Sequence, residues 1–222
     1  VKLATDSDDS SGGNSWVART SKVSRSYKGL PQEKRRAYRR RRLIAAAVEI
    51  YGERGYHYAS IKAVCHLAGL TERYFYESFT GSEELLIACY REVTERILQN
   101  VLQLTNNADM EPDRLVHTIL HAYFATIRCD PKAARVFLVE MRDANPAVVG
   151  VSRAALRRIA REAMQFFGVT DSRANELLAI GIIGGINEIA LYWAAQDYTL
   201  SIEEVIEVAL QLCGSFISSL RS

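Results

Sequence analysis

Beyond residue 30, apolar residues recur every three to four positions through almost the whole chain, and no segment shows the period-two alternation of a half-buried strand. Leu43, Ile44, Ala47, Val48 and Tyr51 make one stripe of a first helix that starts near Pro31, a residue suited to a first turn, and stops at Gly55. Residues 60 to 79 read as two short helices. Ile61, Val64, Cys65 and Leu67 form the buried face of the first, Ala68-Gly69-Leu70 makes the turn, and Thr71 stands where it can cap the second. Ser82-Glu83-Glu84-Leu85 opens a long helix whose apolar positions Leu85, Leu86, Cys89, Val93, Ile97, Val101 and Leu104 carry it to about Thr105. After a break at 106–112, helices are predicted at about 113–129, 131–142, 146–167, 172–195 and 201–220, bounded by Asp130-Pro131, Asn145-Pro146, Gly168 and Ser201. The pattern predicts an all-α chain of about nine helices, three short basic ones forming a head and the longer, more apolar ones a body.

Two helices joined by a tight glycine-containing turn are a way of reading DNA, and Arg73 and Tyr74 fall in the first turn of the second helix, from which side chains reach base edges. Charge changes the picture in the same direction. The whole chain carries only +2, yet Arg19 to Arg42 holds eleven basic residues against Glu33 alone, so that segment is +10 and the remainder −8. Such a block next to a helix-turn-helix suits phosphate contact with counterion release; a solubilising tail is the blander reading. Residues 1–30, rich in Ser, Gly, Asp and Lys without periodicity, are predicted to be a disordered basic arm. The expected organisation is that arm, a DNA-binding domain over 31–80, and a helical ligand-binding and dimerisation domain over 81–222.

With 48% hydrophobic residues there is enough apolar surface for a core. No run reaches the ~18 uncharged apolar residues of a membrane span, and Val1 to Asn14 is polar and acidic, unlike a signal peptide. A cytoplasmic protein with no membrane partner is expected. Cys65, Cys89, Cys129 and Cys213 lie far apart in helical apolar contexts and are expected to be reduced core thiols.

The run Gly55-Tyr56, Ser60-Ile61 through Ala68-Gly69-Leu70-Thr71, Tyr74-Phe75-Tyr76-Glu77-Ser78-Phe79 and Glu83-Glu84-Leu85-Leu86 resembles the N-terminal domain of TetR-family bacterial regulators, especially the subgroup whose recognition helix reads Arg-Tyr-Phe-Tyr-Glu-Ser-Phe. The resemblance covers about Arg41 to Leu86. It implies a homodimer on a palindromic double-stranded DNA operator, most simply a repressor released when a small apolar or amphipathic effector in the C-terminal domain changes the separation of the heads. By the same resemblance Thr71, Arg73 and Tyr74 read bases, Tyr76 meets a phosphate, and Ser60 and Lys62 flank the groove. Ser82 stands where a phosphate-binding Lys is usual, a contact that Arg39, Arg40, Arg41 and Arg42 can offset. Phe75 and Phe79 are expected in the core of the head.

For an effector the body offers the aromatic and apolar residues Tyr123, Phe124, Phe137, Met141, Phe166, Tyr192 and Trp193, with polar anchors His121, Glu140, Asn187 and Glu188. Plain core is the competing reading of these aromatics. His117 and His121 share a helix face, but nothing in sequence completes a metal site. Neither a Gly-x-Ser-x-Gly elbow nor a phosphate loop is present, so no cofactor and no enzymatic role are expected. The alternative is a helical protein-interaction module without sequence-specific DNA binding. Glycines inside a helix cost roughly 1 kcal/mol each relative to Ala, so Gly181, Gly184 and Gly185 suggest close packing at a subunit interface. Leu177, Leu178, Ile180, Ile189, Val205, Ile206, Leu210, Phe216 and Ile217 give the last two helices apolar surface for a two-fold contact.

Overall fold

A computed structural model describes residues 31–105, 111–142 and 144–220, with side chains to residue 214. The proposed arm, with Arg19, Lys22, Arg25 and Lys28, and the side chains of Phe216 and Ile217 lie outside the described residues. All regular structure among the described residues is helical. The head comprises α1 (Gln32–Arg54), α2 (Ile61–Ala68) and α3 (Glu72–Tyr76). The body comprises α4 (Ser82–Thr105), α5 (Pro112–Cys129), α6 (Pro131–Arg135), α7 (Pro146–Phe166), α8 (Arg173–Ala195) and α9 (Ile202–Leu220). At 23 residues α1 fills the span expected between Pro31 and Gly55, so of the three head helices, expected to be short, only α2 and α3 are.

Among the described residues, 31–38 and those from Arg39 onward belong to separate units. In the first, the described residues 31–38 are polar turns with Pro31 to Lys34 exposed. In the second, one apolar core runs from Leu43 and Ala47 through Phe75 and Phe79 to Leu86, Phe124, Ile127 and Trp193. The predicted helix at 131–142 is instead five α residues followed by a π turn over Val136–Glu140. A π turn inserts an extra residue into the helical repeat, which the periodicity of a short segment does not disclose.

Caps explain most boundaries. The side chains of Ser60, Asp130, Asn145 and Ser172 each accept a backbone N–H three residues on. Glu84 accepts from both the N–H and the Oγ1 of Thr80, at 2.7 and 2.9 Å, at the start of α4. Between α8 and α9 the chain turns through Asp197 and Tyr198, both at positive φ, and Trp193 Nε1 donates to the Leu200 carbonyl at 2.9 Å. That bond satisfies the polar edge of an otherwise buried ring.

Candidate DNA-reading head and effector core

Gly69 ends α2 in the left-handed region at φ 60°, and the Leu70 N–H closes onto the Cys65 carbonyl at 2.9 Å. The positive φ is what favours glycine here; a Cβ would also stand 2.9 Å from Arg42 Nη2, the end of a side chain that can move aside. Thr71 occupies the N-cap position of α3, but its hydroxyl makes no cap bond, contrary to the sequence expectation. The extended backbone at Thr71 alone redirects the chain, leaving its hydroxyl on an exposed residue. Leu67, also expected to be buried, is half exposed, because α2 is too short to cover its own last turn. Phe75 and Phe79 are buried with their rings 5.6 Å apart, as expected, and hold α3 against the head.

The outward face of α3 carries Arg73, 87% exposed and 3.6 Å from Glu77, together with Tyr74 and the more exposed Tyr76. Lys62 and Ser60 are exposed beside it, the Ser60 hydroxyl accepting from the Ala63 N–H at 3.1 Å. The four arginines expected at phosphates divide. Arg41 is exposed, whereas Arg39 is largely buried, donating to Glu77 at 3.0 Å with its guanidinium 4.4 Å above the Tyr74 ring. Arg40 lies 4.6 Å over the Phe79 ring and Arg42 lies against Gly69. Long basic stems pack on apolar and aromatic surface, so these three also build the head.

In the body, Tyr123, Phe124, Asn187 and Trp193 come together. The Tyr123 hydroxyl donates to Asn187 Oδ1 at 2.7 Å, Phe124 meets Trp193 edge-on at 5.8 Å, and burial pushes the Tyr123 phenol above its usual range. Phe137 stacks on Tyr90 at 5.6 Å, and Met141 is buried nearby in sequence. The other residues expected at an effector do not converge with them. Phe166 and Tyr192 are exposed, and Glu188 is exposed and pairs with Arg142 at 2.5 Å. His121 is half exposed and, with His117, faces Glu203 of α9. Glu140 is buried but turned toward the head. Helical spacing places residues on a face without saying which neighbour the face meets.

Residues 43–89 match the bacterial regulatory proteins of the tetR family. Over that stretch the head is similar to the N-terminal domain of TetR-family regulators. Over most of its length the chain is similar to the HTH-type transcriptional activator FasR of Mycolicibacterium smegmatis, 23% identical over 193 residues and covering 85% of each chain. It is also similar to the fatty acid metabolism regulator protein of Bacillus subtilis, 22% identical over 182 residues, 79% of this chain and 93% of that one. The fold matches the transcriptional regulator FadR of Bacillus subtilis in complex with stearoyl-CoA, at TM-score 0.63, 20% identity, and 78% and 96% coverage. It matches a TetR-like regulator from Rhodococcus sp. RHA1 at TM-score 0.64, 19% identity, and 85% and 98% coverage. The similar proteins are transcriptional regulators, not enzymes.

Two features of this chain escaped the sequence. Arg39 stands in a run of four identical residues, and only its contact with Glu77 and Tyr74 distinguishes it. Cys129 is exposed while the other three cysteines are buried, because α5 ends there and its last turn leaves the core.

Proposed function

We propose that the chain is a ligand-responsive DNA-binding transcriptional regulator that works as a homodimer on a palindromic operator. The observation that carries this reading is the exposed face of α3, where Arg73, Tyr74 and Tyr76 stand together beside Lys62 on a rigid Phe75–Phe79 base. Arg73 is assigned to base edges and Tyr76 and Arg41 to phosphates, and the basic segment before α1 adds sequence-independent attraction. The effector is an amphipathic thioester of the long-chain acyl-CoA class. Support comes from the aromatic cluster of Tyr123, Phe124 and Trp193 with its Tyr123–Asn187 polar pair, and from the similarity to a regulator seen with stearoyl-CoA. The cytoplasm is the corresponding location.

Dimerisation is assigned to α8 and α9. Although α8 is long and apolar enough to cross a membrane, with mean hydropathy 1.6, Glu188 interrupts it and only 17% of that window is buried within the subunit. Leu177 and Leu178 are exposed on α8, as are Val208 and Leu212 on α9, and the open sides of Gly181 and Gly184 would admit a second helix. Val205 and Ile206, expected at this contact, are buried in the subunit's own core, and Gly185 packs against Leu212 of the same chain.

The test is a gel shift with the DNA upstream of the chain's own gene, titrated with salt and with stearoyl-CoA. A salt-sensitive shift that outlasts random competitor DNA and responds to stearoyl-CoA is expected. A shift with no preference over competitor would leave a general polyanion binder.

A further inference from the structure

Glu140 is a charged residue that is only 6% exposed, and neither the DNA-facing surface nor the aromatic core uses it. A buried carboxylate is costly unless both oxygens are occupied. Here Oε2 accepts the Tyr56 backbone N–H at 2.6 Å and Oε1 accepts Arg135 Nε at 2.7 Å. The ion pair lies over Gly55, where a Cβ would stand 3.0 Å from Arg135 Nη2 and 3.7 Å from each carboxylate oxygen. Gly55 has φ 89° and is followed by a short 3-10 turn, Tyr56–Tyr58, which together with Ala59 leads from α1 to the Ser60 cap of α2.

Tyr56 therefore joins three parts of the molecule. Its N–H is held by the body, its ring meets Tyr51 of α1 edge-on at 5.5 Å, and its hydroxyl is 3.2 Å from Ser82 Oγ at the start of α4. The π turn gives Glu140 its aim. In an α-helix Phe137 and Glu140 would lie roughly 60° apart around the axis, whereas the wider π repeat splays them further. One turn thus stacks Phe137 on Tyr90 of α4 and delivers Glu140 to the head. Lys132 pairs with Glu49, and its backbone lies flush against Gly52, so α6 also grips α1.

We infer that Glu140 is the positioning residue of the helix-turn-helix: by accepting the Tyr56 N–H it fixes the turn between α1 and α2, and so the direction of α3, without contacting DNA. The inference rests on the DNA-binding reading for its consequence but not for its geometry. The test compares Glu140→Ala, which removes the acceptor, with Glu140→Gln, whose amide oxygen still accepts, in the full chain. Three quantities are read: hydrogen exchange of the Tyr56–Ala59 amides, affinity for a duplex that the wild-type chain selects from a random pool, and affinity for a random duplex.

For Glu140→Ala, exchange in the turn rises and affinity for the selected duplex falls, each by about tenfold, which is the loss of one charge-assisted bond. Random-duplex affinity stays unchanged, and Gln, with one acceptor oxygen for two donors, falls between Ala and the wild type in both. Equal losses on the two duplexes or unchanged exchange would overturn the assignment. If Glu140→Ala fails to fold, Glu140→Met fills the volume without an acceptor and makes the same comparison. If the wild type selects no duplex, the DNA reading fails, while the exchange pattern still decides whether Glu140 holds the turn.

Discussion

Arg73 and Arg39 sit on neighbouring parts of the head with opposite fates, one 87% exposed and the other 12%, and each reaches Glu77. Arg73→Ala is expected to relax preference at one operator position by ~1–3 kcal/mol, as the loss of a bidentate guanine contact would, measured by competition among single-base operator variants. Tyr76→Phe should weaken operator and random DNA alike, as a phosphate contact does. Arg39→Ala should instead lower the thermal midpoint, because it removes the buried stem and guanidinium that pack on Glu77 and the Tyr74 ring. Thiol chemistry gives an independent check of burial. The Cys213 thiol is pushed up to about 11 and that of Cys89 still higher, both by burial, so both remain protonated at pH 8, where thiolate is the reactive form. Iodoacetamide under native conditions should label Cys129 alone, and rapid labelling of all four would contradict the packing of the core.

At the scale of elements, the turn between α2 and α3 depends on Gly69. Gly69→Ala should cost about 1 kcal/mol for the left-handed backbone, plus whatever Arg42 loses by moving aside. A thermal melt reads the sum, and Arg42→Ala in the same background should recover only the steric part. The short α3 was legible in sequence because Thr71, Phe75 and Phe79 bracket it. Its capping chemistry was not, since a Thr at an N-cap position can leave the helix N–H groups to solvent. The π turn at 136–140 was illegible for a related reason: five residues cannot distinguish a repeat of 3.6 from a wider one, and the choice follows from Phe137 and Glu140 being drawn to different neighbours.

For the whole molecule, the decisive property is the apolar face that α8 and α9 leave open. Replacing Gly184 with Arg should separate the subunits and abolish operator binding while the head keeps its fold, since a palindrome requires two heads at a fixed spacing. Light scattering at micromolar concentration should give a dimer for the wild type and a monomer for the variant. A wild-type monomer that still binds the operator would refute the arrangement. Deleting residues 1–30 should flatten the dependence of DNA affinity on salt, because it removes Arg19, Lys22, Arg25 and Lys28 from the basic block.

Local pattern was sufficient for what is local: the helical repeat, the boundaries at Asp130-Pro131 and Asn145-Pro146, the glycine turn, and the family resemblance of the head, each written in residues a few positions apart. The candidate effector site was only partly legible. Tyr123 and Asn187 lie 64 residues apart, and so do the causes that join them, whereas Phe166, Glu188 and Tyr192 share the same composition and face outward. Which arginine packs and which stays exposed, whether Glu140 faces the effector core or the head, and which glycines meet a neighbour were settled by tertiary contact. Those outcomes depend on what each side chain finds across the core, and a one-dimensional pattern carries the periodicity of a face but not the identity of the surface opposite it.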